Sequence, residues 1–69
     1  MPTNTVRRGY ARKAILAYAR ARGTLTDVRE HPAGVLTDLL ADLMHWSDAA
    51  GLEFVDCLKM AQQYHTEEQ

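Results

Sequence analysis

Apolar residues recur at helical spacing in three stretches of the chain, and the clearest is the middle one. Over 33–50, Leu36, Leu39, Leu40, Leu43, Met44 and Ser47 share one face, flanked by Val35 and Trp46. Asp38, Asp42, His45 and Ala49 lie opposite, which is the signature of an amphipathic helix. Gly51 follows as the residue that ends such a helix in a left-handed conformation. Over 53–65, Phe54, Cys57, Leu58, Ala61 and Tyr64 share a face, with Asp56, Lys59 and Gln63 on the other. The connection between these helices is short, so they are expected to form an antiparallel hairpin. The first stretch, 5–22, is alanine-rich and less amphipathic, with Thr5 as the expected N-cap and Gly23 as its stop. Its apolar stripe is Val6, Tyr10, Ala14, Ala17, Tyr18 and Ala21.

Residues 23–34 form the one extended connection. Asp27-Val28-Arg29-Glu30 has capping-box spacing, enough for a single turn, and Pro32 prevents that turn from continuing. Residues 1–4 and 66–69 are polar ends expected to fray. No segment alternates with period two. The pattern therefore predicts one all-α domain over 1–69, three helices at about 5–22, 33–50 and 53–65, with the first laid across the hairpin.

Length makes that domain marginal. A chain of 69 residues buries only about 60% of its unfolded surface, so small domains usually need a disulfide, a metal or a partner subunit. Cys57 is the single cysteine, so no disulfide closes within the chain, and its place on an apolar stripe predicts a buried thiol. A homodimer is therefore expected, with Met44, Trp46 and Tyr64 as interface anchors. Trp46 fits either the core or an interface. The longest apolar run, Ala14 to Ala19, is far short of the ~20 residues that cross a bilayer. Arg12, Lys13, Arg20 and Arg22 interrupt any secretory leader, so a cytoplasmic protein with no membrane partner is expected.

Charge adds the most informative feature. Residues 1–29 carry Arg7, Arg8, Arg12, Lys13, Arg20, Arg22 and Arg29 against Asp27 alone. Residues 30–69 carry Lys59 alone against eight carboxylates. Such segregation suits a nucleic-acid surface, a protein partner, or two halves that attract each other. Arg8, Arg12, Lys13 and Arg20 form the basic face, with Tyr10 and Tyr18 interleaved as on a phosphate-tracking helix. No helix-turn-helix spacing accompanies them. Asp38, Asp42 and His45 form an acidic face suited to a partner. Their D-x3-D-x2-H spacing also offers one edge of a metal site, which Glu53, Asp56 and His65 could complete. Because the three lie opposite the leucine face, a solvated surface is the better expectation. No phosphate loop, zinc spacing or nucleophile–base signature is present, so no catalytic residue and no cofactor is assigned.

The segments Asp38-Leu39-Leu40-Ala41-Asp42-Leu43-Met44-His45-Trp46 and Gly51-Leu52-Glu53-Phe54, followed by Ala61 and Tyr64, carry a resemblance. This second half resembles short helical proteins of unassigned activity encoded in bacterial genomes, phages and plasmids. The resemblance implies a bacterial or mobile-element origin and supplies no activity and no catalytic residues; small proteins from such settings often bind and block a host defence complex. Together these readings predict a non-enzymatic protein-interaction module, a regulator or inhibitor of a larger bacterial complex. A nucleic-acid-binding protein using the first helix is the alternative, and a metal-dependent helical-bundle hydrolase the second alternative.

Overall fold

A computed structural model describes residues 4–68 of the chain. Four helices follow one another: α1 (Asn4–Arg22), α2 (Asp27–Glu30), α3 (Pro32–Ala49) and α4 (Phe54–Glu67), and the described residues include no strand. The all-α class read from the sequence is the class observed. The single turn expected at Asp27–Glu30 is a fourth, one-turn helix. Its capping box does not form, because Thr26 takes the N-cap position in a helical conformation and makes no side-chain cap bond. Thr5 is likewise not a cap: α1 already includes Asn4, and the Thr5 hydroxyl accepts a bond from Arg8 Nη2 at 3.2 Å. Thr66 and Glu67 are helical rather than frayed. The expected fraying at residues 1–3 and 69 falls outside the described residues.

Two glycines end the long helices in the same way. Gly23 and Gly51 have φ of 73° and 72°. In α1 the Gly23 N–H donates to Arg20 O and the Thr24 N–H to Ala19 O. In α3 the Gly51 N–H donates to Asp48 O and the Leu52 N–H to Ser47 O. Each is a Schellman cap, which satisfies the last carbonyls and turns the chain sharply. Pro32 occupies the first turn of α3, where its missing N–H costs nothing.

Packing is thin. α1 and α2 both lie against α3, and they share more contact with it than α4 does. Ala19, Val35 and Ser47 are buried, while among the described residues no large side chain is fully buried. The molecule measures 32 × 31 × 16 Å with a radius of gyration of 13.2 Å. A compact chain of this length has about 11 Å.

Three expectations about the core change accordingly. On α1 the half-buried face is Ile15, Leu16 and Tyr18 around Ala19, while Val6, Tyr10, Ala14, Ala17 and Ala21 of the predicted stripe are exposed. On α4 only Phe54, at its start, is half-buried among the predicted hairpin face. Leu58, Ala61 and Tyr64 are exposed, and so is the Cys57 thiol. The turn between α3 and α4 is as short as predicted, but the apolar stripe of α4 is left open beyond that turn.

The glycines give a sign-resolved test. Nothing lies within 4 Å of a Cβ added at Gly9, Gly34 or Gly51. Ala at helical Gly9 or Gly34 should therefore stabilise the chain by roughly 0.5–1 kcal/mol. Ala at Gly51 should destabilise it by about 1–2 kcal/mol through its positive φ alone. Urea denaturation of the three variants checks both signs.

Candidate interaction surfaces

Tyr18 and Arg22 stand one turn apart on α1, and Asp38 and Asp42 stand one turn apart on α3. Laying α1 along α3 brings the two pairs together. The Tyr18 hydroxyl donates to Asp42 Oδ2 at 2.6 Å and accepts from Arg22 Nη1 at 2.9 Å. The same Nη1 lies 3.6 Å from Asp38 Oδ2 and 3.7 Å from Asp42 Oδ2. The guanidinium carbon is 5.8 Å from the centre of the Tyr18 ring, within cation–π range. Partial desolvation, then the bond to Asp42, raises the Tyr18 phenol above its ordinary value. The bond to Tyr18 and the nearby charges raise the Arg22 guanidinium, so it stays a cation.

This cluster changes the reading of the acidic face. Asp38 and Asp42 are exposed at the rim of the α1–α3 contact and engage Arg22 rather than only water. His45 is exposed on the same helix and does not join them. Arg22 brings positive charge to the two carboxylates that the metal reading would have used. Among the described residues, the carboxylates and imidazole that approach within 4.8 Å of one another are Asp27, Glu30 and His31.

The basic face divides into two. Towards the start of α1, Arg7 Nε pairs with Glu68 Oε2 at 2.7 Å, tying α1 to the end of α4. This ion pair spans an open groove of about 490 Å³ whose lining includes Arg8, Tyr64 and His65. Further along, Arg12 and Arg20 line a second groove, of about 570 Å³, between α1 and α2. Its third arginine is Arg29 of α2, and its floor is Leu16, Leu25 and Val28. Lys13 is exposed beside it on α1. None of Arg12, Lys13, Arg20 and Arg29 makes an ion pair among the described residues. The sequence reading placed Arg29 in a connection and missed it, because only the one-turn helix α2 carries it to the groove.

The third surface is apolar. Leu36 and Met44 of α3 are each 50% exposed, with Leu40 and Leu43 close behind. Trp46 is 63% exposed, so of the two places open to it the structure excludes the core. On α4 the exposed Cys57, Met60 and Tyr64 line a shallow depression with Asp56 and Ala61. Met44, Trp46 and Tyr64, the predicted anchors, are thus all on the surface. No described helix is long and apolar enough to cross a membrane.

Tyr18 makes stability pH-dependent with a definite sign. Below pH 10 the phenol is protonated whether the chain is folded or not, and its bond to Asp42 contributes fully. Above pH 10 the unfolded chain ionises first, so stability falls as pH rises through the folded value. Denaturation midpoints of the wild type should therefore fall more steeply above pH 10 than those of Tyr18→Phe. Equal slopes would detach the cluster from the fold.

No family profile matches the chain, and no curated protein or solved structure does either.

Proposed function

We propose that the chain is a non-enzymatic protein-interaction module that acts as a homodimer and regulates or inhibits a larger bacterial complex. The observation that carries this reading is the open core. The accessible surface is 5662 Å². A compact monomer of 7.8 kDa exposes about 4,400 Å², leaving roughly 1,300 Å² in excess per chain. Two chains that buried this excess would reach the lower range of obligate homodimer interfaces, ~2,000 Å² and above. The exposed α3 strip of Leu36, Leu40, Leu43 and Met44 carries no charge, so a second copy meets it without like-charge repulsion. Burying it would complete the core that the single chain lacks.

Trp46 suits the further partner. It is the most exposed large apolar residue described, and tryptophan is enriched among residues that dominate binding energy. The resemblance of the second half to short phage and plasmid proteins supports a bacterial assembly as that partner, of the kind such proteins block.

Sedimentation over a dilution series tests the dimer. The wild type should sediment as two chains at micromolar concentration, with a melting temperature that rises with concentration. Leu36→Glu with Met44→Glu should remove both properties. A wild type that stays folded and monomeric throughout would defeat the dimer. Capture from nuclease-treated bacterial lysate tests the partner: one protein complex should be retained by the wild type and lost with Trp46→Ala, whose dimer persists.

A further inference from the structure

We propose that the groove between α1 and α2 is the docking site for an acidic segment of a partner protein. Carboxylates of that segment would sit on Arg12, Arg20 and Arg29, with an apolar side chain between them. The proposal rests on the reading of the chain as an interaction module, but not on its being a dimer.

Geometry and charge both select this occupant. Arg12, Leu16 and Arg20 are spaced four residues apart, so they stand in line along one side of α1 with the leucine between the guanidiniums. Arg29 adds the third guanidinium from α2, and Leu25 and Val28 extend the apolar floor from the connection and α2. Among the described residues no carboxylate forms an ion pair with these cations, Asp27 and Glu30 of α2 included. Asp38 and Asp42 serve Arg22, and Glu68 serves Arg7. Three arginines without ion pairs around a groove of about 570 Å³ are a preformed receptor for planar, bidentate anions.

The floor distinguishes carboxylate-bearing protein from nucleic acid. A phosphodiester backbone has no apolar side chain to cover Leu16, Leu25 and Val28. An amphipathic segment with acidic residues one turn apart and a leucine between them matches both the rim and the floor. Leu25 is 43% exposed, so the floor is open to such a side chain.

Fluorescence anisotropy with the full chain tests this with a labelled synthetic peptide that places Glu residues around a central Leu. Binding should weaken by about 10–100-fold in Arg20→Gln/Arg29→Gln. Leu25→Ser should also weaken it, while Lys13→Gln should change it little. Circular dichroism of each variant confirms that it folds. A peptide with Gln in place of Glu should not bind, and an all-Glu peptide without the Leu should bind more weakly. Equal affinity for the all-Glu peptide would overturn the proposal, as would affinity unchanged in the double arginine variant. Preferential binding of a double-stranded DNA oligonucleotide would overturn it in favour of nucleic acid. Sedimentation of the same variants reads the dimer separately, so loss of peptide binding with the dimer intact concerns the groove alone.

Discussion

The positions that this fold buries all carry compact side chains, and no large side chain among the described residues is fully covered. Ala19 and Ser47 are each the residue whose carbonyl accepts the outer bond of a Schellman cap, four positions before the glycine that ends its helix. Burying a small residue at that point lets the chain reverse tightly and lay the next element against the last. Val35, one turn into α3, is the third buried position. The large side chains of Leu36, Met44 and Trp46 stay outside.

Electrostatics joins the two halves at few points. Arg22 gathers Tyr18, Asp38 and Asp42 at the α1–α3 contact, and Arg7 reaches Glu68 at the far end of the chain. The opposite charges of the two halves are therefore satisfied internally only in part. Exposed pairs of this kind orient elements more than they stabilise them. Arg12, Arg20 and Arg29 form no ion pair in either place and line the α1–α2 groove.

Periodicity made the helices legible because side-chain spacing on a helix is a local property. The boundaries near Gly23, Pro32 and Gly51 were legible for the same reason, as each acts on its own φ or its own missing donor. The buried face of α1 was not. Its alanine-rich sequence marks a stripe only weakly, and of the predicted Val6, Tyr10, Ala14, Ala17, Tyr18 and Ala21 only Tyr18 is half-buried, beside Ile15 and Leu16. Cys57 misled in a similar way: an apolar neighbourhood on one helix says which residues share a face, not whether another helix covers it.

The sequence by itself determined the all-α class, the helix stops at Gly23 and Gly51, and the separation of positive from negative charge. These depend on backbone conformation and spacing within a few residues. Tertiary structure decided which carboxylates meet which arginines, which apolar stripe is covered, and that Arg29 joins Arg12 and Arg20 around one groove. Those outcomes depend on how helices cross, and the crossings are set by contacts between residues far apart in the chain, which no local pattern encodes.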